Sequence, residues 1–486
     1  MQTRLQSGEG SGRRQPNIVL FVADDLGWGD LGAYGATAIP TPAIDKLAAG
    51  GVLFTDAHAT SAVCSPSRYS LITGRYPWRS PLQAGVLGGT DPSILDDEPT
   101  LADVLRAGGY RTGAFGKWHL GLNWKHKAGS RPTAFGPAGF VPDMQASGRD
   151  VDYAEPFTGG PLDHGFDDFF GIAGSLDMPP YCFLEQDRTV GIPSIEKSPL
   201  ITSQRPGLAV DDWVDHAVDT TVLERATAWI SRQATGDSPF FAYVASAAPH
   251  RPCVPPGFVT GRSEAGPRGD SVCLVDWMVE RIVETLEQAG VRGDTIVIIT
   301  SDNGAPLIFP EDGDVVRHRP NGPWRGQKAD AWEGGHRVPL VIEGAGVPSG
   351  KSDRLVSLMD LVPTIAHMAD AVDVVRRDGV IISEAIGDER TPSGRGPLGQ
   401  QAFDGSLVLR EGTDKAVFST GSGGFTDPIG TPTDATSGQF FELDRDPQEL
   451  VDRWADRGDE AREMLERFRA ATGFSTDLDT RLAERA

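Results

Sequence analysis

The sequence predicts an α/β fold: a large, mostly parallel sheet sandwiched by helices, with a smaller α+β subdomain at the C-terminus. From residue 17 to about 345, short apolar runs alternate with segments of helical periodicity, the order a parallel sheet with helices on both faces requires. From Ile18 to Ala23 the first of these runs is apolar at every position, so both of its faces are expected to be buried. After residue 372 the alternation stops, and hairpin-like and helix-like stretches take over.

In chain order, NIVLFVA (17–23) reads as a buried strand ending in two aspartates. PTPAIDKLAAGG (40–51) reads as a helix with Thr41 as N-cap, Pro42 in the first turn and glycine at the stop. In TLADVLRAGGYRTGAFGKWH (100–119), Thr100 caps a helix that Gly108 ends, and Tyr110 to Phe115 form a strand. SPFFAYVASAAPH (238–250) is a strand with its loop. From Val275, apolar residues at helical spacing run to Gly290, and TIVIIT (295–300) is the next strand. SLMDLVPTIAHMADAV (357–372) is helix-like. Residues 376–402 lack periodicity and read as a linker or long loop. SLVLREGTDKAVFS (406–419) suggests a hairpin, while DPQELVDRW (446–454) and EAREMLERFRAAT (460–472) suggest helices. The chain thus divides into a leader (1–16), a main domain (17–375), the linker and a C-terminal subdomain (403–486).

The leader is polar and glycine-rich, without the apolar centre of a secretory signal, so a cytoplasmic location is expected. No apolar run approaches the length of a transmembrane span. Net charge is −23 over 486 residues, against general nucleic-acid binding, which needs a basic footprint. An anionic substrate would require a locally positive pocket on this acidic body. Four scattered cysteines (Cys64, Cys182, Cys253, Cys273) make neither a disulfide framework nor a zinc cage.

The polar residues with chemical promise follow the strands: Asp24 and Asp25 the first, Lys117 and His119 a second, His250 a third, Asp302 and Asn303 a fourth. In an open α/β sheet the carboxyl ends of parallel strands form one ligand-binding rim, so these distant residues are expected to converge.

Around them stand CSPSRYSLITGR (64–75), ADDLGWGD (23–30), GKWHLG (116–121), PHRP (249–252), SDNGAP (301–306) and GQKADAWEGGHRVP (326–339). With the weaker HGFDDFFG (164–171), MDLVPTIA (359–366) and FFELDRDPQE (440–449), they make the chain resemble the sulfatases of the alkaline phosphatase superfamily, from residue 17 to about 455. The resemblance implies hydrolysis of sulfate monoesters, of a sulfated carbohydrate or an aryl sulfate. It implies that a separate maturation enzyme oxidises Cys64 to formylglycine. Hydrated, that aldehyde offers one hydroxyl to take the sulfuryl group and a second whose deprotonation expels sulfate.

The resemblance also implies a cation site made of Asp24, Asp25, Asp302, Asn303 and the hydrate oxygen of residue 64. All-oxygen ligation suits Ca2+ or Mg2+, and family precedent is calcium. By the same resemblance Arg68 steadies the hydrate and Lys117 and Lys328 grip sulfate oxygens. His119 takes the proton during sulfate release, and His250 binds sulfate and helps protonate the departing alcohol.

Each of these residues alone has a plainer reading. Paired aspartates after a strand usually cap a turn, a lone cysteine is usually a buried small hydrophobe, and SDNG is a common turn. Joint occurrence in order shifts the balance for the catalytic set. Cys182, Cys253 and Cys273 keep the plain reading, as do His58, His126, His216 and His367. For His164, His318 and His336, and for Trp118 and Trp332, packing is the simpler alternative to lining a pocket. The rival functions are a phosphonate monoester or phosphodiester hydrolase of the same superfamily and a non-catalytic binding protein retaining the fold. Loops 76–98, 122–163, 177–210 and 305–322 are expected to select the substrate, and SLDMPPYCFLE (175–185) is reminiscent of bacterial carbohydrate sulfatases.

Overall fold

The computed structural model describes residues 15–95, 97, 99–130, 147–307, 318–387 and 395–475. The expected leader lies outside these except for Gln15 and Pro16, whose polar groups bond Ala369 and Tyr110.

A sheet of ten strands organises the main domain, in the order 350–352, 52–54, 340–344, 295–301, 17–23, 240–245, 111–117, 168–172, 184–185 and 188–189. The five strands from Thr295–Ser301 to Asp168–Ile172 are mutually parallel. Leu340–Gly344 and Leu184–Glu185 turn the sheet antiparallel on either side of them. Asn17–Ala23 is central, with Val19 opposite Val297 on one side and Ala242 on the other.

Side chains alternate across a strand, and this one feeds two cores. Val19, Phe21 and Ala23 pack with Ile44 and Leu47 of helix Pro42–Gly50, Trp229 of Val218–Gln233 and Met278 of Gly266–Gln288. Ile18, Leu20 and Val22 pack with Tyr69 of Cys64–Thr73, Leu105 of Leu101–Ala107 and Ile365 of Leu361–Met368. The expected sandwich is therefore present. Thr100 makes the predicted cap, its hydroxyl accepting from Asp103 N.

At the C-terminus a four-stranded antiparallel sheet (398–401, 407–411, 414–417, 439–442) is covered by helix Trp454–Thr472. Leu409 and Phe440 pack there with Met464, Leu465 and Phe468, and with Trp78 of the main domain. Its first strand, Leu398–Gln401, and a short helix, Ser383–Ile386, fall inside the aperiodic stretch 376–402.

Two expectations about helices are corrected. The long helix begins at Gly266 rather than Val275, because its first two turns, GPRGDSVCL, bury polar residues such as Arg268 and Asp270 and so hide the periodicity. DPQELVDRW is not helical before Trp454. Glu449 has φ of 55° and is buried, its carboxylate accepting from Glu333 N and pairing with Lys415. A tertiary ion pair overrides the local helical preference.

That pair belongs to a buried seam joining the two sheets. Glu333 accepts from Arg337, Arg410 and Lys415, His58 and His336 meet at 2.9 Å, and Asp56 holds His58 and Arg410. Three carboxylates face three cations here, so His58, Glu333 and His336, though grouped, are already satisfied by protein partners. Among the described residues no helix is long and apolar enough to cross a membrane.

Candidate active site

The carboxyl ends of the parallel strands meet the N-terminus of helix Cys64–Thr73. Val63 is its extended N-cap, and all ten helical residues are buried. The hydroxyl-rich composition fits that burial: Ser65 Oγ accepts from Leu87 N, while Ser70 and Thr73 donate to carbonyls one turn back. Cys64 Sγ lies 3.5 Å from Asp24 Oδ1 and 3.4 Å from Lys328 Nζ. Burial, then the negative charge of Asp302, pushes the Cys64 thiol far up. An unmodified Cys64 therefore carries no thiolate at neutral pH and is a poor nucleophile.

The strand end at Ala23 delivers two carboxylates. Asp24 N donates to Ala248 O, and Asp25, with φ of 65°, donates its N–H to Asp302 Oδ1. Asn303 Nδ2 donates to Asp25 Oδ1 at 2.7 Å, drawing the loop after Thr295–Ser301 onto the same floor. Burial by itself would raise both aspartates; Lys117 foremost for Asp24 and Lys328 foremost for Asp25 override it and hold both below the usual range. Lys117 donates to Asp24 Oδ2 at 2.7 Å and Lys328 to Asp25 Oδ2 at 2.9 Å. Burial opposes protonation of Arg68 too, yet Asp302, bound at 2.9 Å through Nε and 2.8 Å through Nη2, keeps it charged.

His119, at φ of 55°, sets its Nε2 2.7 Å from Leu87 O, which assigns the proton to Nε2 and leaves Nδ1, buried and without a hydrogen-bond partner, as a lone pair. Burial first, then Lys117, drives its pKa well below the ordinary histidine value, so the ring is neutral. His250 Nδ1 sits 2.7 Å from Arg251 O, and its Nε2 lies 3.7 Å from Asp25 Oδ2.

The structure thus gathers Asp24, Asp25, Cys64, Arg68, Lys117, His250, Asp302, Asn303 and Lys328 through direct contacts, with His119 in the electrostatic reach of Lys117, Arg68 and His250. Ligating atoms of Asp24, Asp25, Cys64 and His250 lie within 4.8 Å of one another. The residues fit a hard cation: three buried carboxylates converge, and Asn303 Oδ1 is a buried acceptor with no partner. Asp24, Asp25 and Asp302 are balanced by Arg68, Lys117 and Lys328, so a bound dication would supply the positive excess an anionic substrate needs.

Sequence reasoning missed Ser175, whose hydroxyl donates to Asp24 Oδ2 at 3.4 Å, and Tyr243, whose hydroxyl meets Arg68. It also missed Asp177, 4.0 Å from His250 Nδ1. Ser175 and Asp177 open the SLDMPPYCFLE stretch, the only local signal for them. Four of the five alternative pocket residues turn inward instead, while His164 lines a cavity with Asn123 and Asp163. His318 pairs with Asp30, His336 with His58, Trp118 donates to Gly121 O and Trp332 to Gln439.

The loop carrying Lys328 is braced by the C-terminal unit. Asp330 accepts from Phe425 N, Thr426 N and Thr426 Oγ1, Ala331 N donates to Ser422 O, and Phe403 N donates to Ala329 O.

A profile of the family described as Sulfatase matches residues 16–371. An N-acetylgalactosamine-6-O-sulfatase of Bacteroides thetaiotaomicron is 33% identical over 410 residues, 75% of each chain. Human arylsulfatase A is 32% identical over 461 residues, 90% of this chain and 83% of that one. A solved 6S-sulfatase from the glycosaminoglycan metabolism of B. thetaiotaomicron superposes with a TM-score of 0.80 at 28% identity, covering 95% of this chain and all of that one. A Pseudoalteromonas sulfatase at 23% identity shares the fold, with a TM-score of 0.71 over 95% and 91% of the two chains.

Proposed function

The chain belongs to the sulfatase family and is a sulfuric ester hydrolase, and from that premise we propose that it desulfates a carbohydrate through an aldehyde hydrate made from Cys64. The names of its relatives support a 6-O-sulfated N-acetylhexosamine as first substrate and an aryl sulfate as second. The observation that carries the nucleophile assignment is the seat of Cys64 Sγ, between the Asp24 carboxylate and the Lys328 ammonium. Sγ occupies the place of a hydrate oxygen, and its own thiol is held neutral there.

A hard dication on Asp24, Asp25, Asp302 and Asn303, calcium by family resemblance, supplies Lewis acidity toward the sulfate and the hydrate when bound. The remaining work falls to the chain. Arg68, pinned by Asp302, orients the hydrate. One hydroxyl gives its proton to the neighbouring Asp24 carboxylate as its oxygen attacks sulfur, held by Lys117 and Lys328, and the ester S–O bond breaks as His250 gives the departing alcohol a proton. His119 Nδ1 then accepts the proton of the second hydroxyl, the C–O bond to sulfate breaks, and the carbonyl reforms with release of sulfate. Water rehydrates the aldehyde.

The test is a comparison of kcat/KM for N-acetylgalactosamine 6-sulfate, an aryl sulfate and an aryl phosphodiester. The sugar sulfate is expected to lead, and a larger value for the phosphodiester would overturn the reading.

A further inference from the structure

Asp219 opens helix Val218–Gln233, away from every motif described above, yet both of its oxygens point at the catalytic rim. Its Oδ1 accepts from Ala247 N at 2.7 Å and its Oδ2 from Ala248 N at 2.9 Å. The residue is 5% exposed, and no hydrogen bond or ion pair to a cation is found for its side chain among the described residues. A buried carboxylate without a counter-charge is costly, and burial followed by the charge of Asp24 raises this one to about 6.

What it gains is the turn it holds. Ala247 and Ala248 carry the chain from strand Phe240–Ala245 to His250. Ser246 Oγ donates to Ala248 O at 2.7 Å, and Asp24 N donates to that same oxygen at 3.2 Å. One short turn therefore fixes the start of the His250 segment and the backbone of a cation-site residue, and Asp219 clamps it from behind through two consecutive amides. Two oxygens on two successive N–H groups set position and orientation together, which a single contact does not.

We propose that Asp219 is a positioning residue for the leaving-group acid: its carboxylate holds the 247–248 turn so that His250 meets the oxygen of the departing alcohol. This inference rests on the reading of His250 as that acid. A displacement of about 1 Å of a catalytic group costs on the order of 100-fold in rate. The share of that cost that runs through His250 falls only where the acid is needed, and any share that runs through Asp24 falls on both substrates alike. A sugar alkoxide is a poor leaving group and requires the proton, whereas 4-nitrophenolate departs without it.

The experiment compares Asp219→Asn, His250→Asn and the double variant on N-acetylgalactosamine 6-sulfate and 4-nitrophenyl sulfate, using the matured, metal-loaded enzyme. An asparagine keeps the size but presents one acceptor and one donor to two N–H groups. The expected result for Asp219→Asn is a kcat roughly 100-fold lower on the sugar sulfate, a loss at least about tenfold larger than that on the aryl sulfate. On the sugar sulfate the double variant should lose far less than the product of the two single losses. Asp276→Asn is the control, because Asp276 makes the same two-amide contact, to Ala43 and Ile44, and only caps helix Pro42–Gly50; it should show no such split. Equal losses on both substrates in Asp219→Asn would overturn the inference alone if His250→Asn still splits them. Equal losses in His250→Asn would bring down the acid role itself and the inference with it. Should Asp219→Asn not fold, Ser246→Ala loosens the same turn, and a Ser246→Ala enzyme indifferent to the leaving group would overturn the inference.

Discussion

The ammonium of Lys328 lies 3.4 Å from Cys64 Sγ and 2.6 Å from Asp25 Oδ1, so one side chain links the nucleophile position to the acidic floor. Lys328→Ala removes a fixed positive charge aimed at the sulfate and leaves Asp25 a net repulsive group. The expected loss in kcat/KM is about 10²–10³, measured with an aryl sulfate, while far-UV circular dichroism stays unchanged. A loss below threefold would remove Lys328 from the chemistry.

Chelation offers a second test. Three buried carboxylates and the unpartnered Asn303 Oδ1 offer an oxygen-rich set that fits a hard cation. Treatment with EDTA should abolish activity, Ca2+ or Mg2+ should restore it, and Zn2+ should not. Adding the restoring ion at 100 times its Kd should stabilise the fold by about 2.7 kcal/mol, readable as a rise in Tm. Full activity after exhaustive chelation, with no metal found by elemental analysis, would contradict the site.

His119 is neutral with a free Nδ1. Its substitution by alanine should spare the attack on sulfur and slow the second half of the reaction. Rapid mixing of His119→Ala with an aryl sulfate should then give a burst of about one equivalent of phenol followed by a slow steady rate. A uniformly slow reaction without a burst would assign His119 to the first half instead.

Lys415 joins Glu333 of the main domain to Glu449 of the C-terminal unit, at 3.1 and 2.7 Å. Lys415→Met leaves those carboxylates short of a buried cation, and breaking such a pair typically costs 3–5 kcal/mol. Urea denaturation should show a loss of about that size. A variant as stable as the parent would mean the seam gains nothing from its ion pairs.

These relationships divide into those a linear reading reaches and those it does not. Ile18–Ala23 and Ile296–Ile299 are apolar throughout, and their strands run into Asp24–Asp25 and Asp302–Asn303, so the convergence of these residues at one rim could be read from strand ends, and their part in a cation site from the family resemblance. Cys64 and Arg68 stand in a long continuous motif. Ser175 and Asp219 could not be read this way. Each reaches its partner across many residues of chain, Ser175 to Asp24 and Asp219 to the 247–248 turn, and nothing in their neighbours' spacing marks a tertiary contact. The segment 446–453 misled for the same reason, since the burial of Glu449 beside Lys415 is decided outside the segment. Helix Val218–Gln233 was not singled out, although Val222, Leu223, Ala226, Trp229 and Ile230 line its buried face at helical spacing.

The account turns on what residue 64 is in the working enzyme. Mass spectrometry of the peptide across residues 64–68, from protein purified in a host with the maturation enzyme and assayed in the same preparation, measures this directly. The predicted result is a peptide in which an aldehyde oxygen replaces the thiol, reactive toward hydrazine, in a fraction that scales with turnover across preparations. Steady turnover from protein whose residue 64 is entirely unmodified cysteine would contradict it.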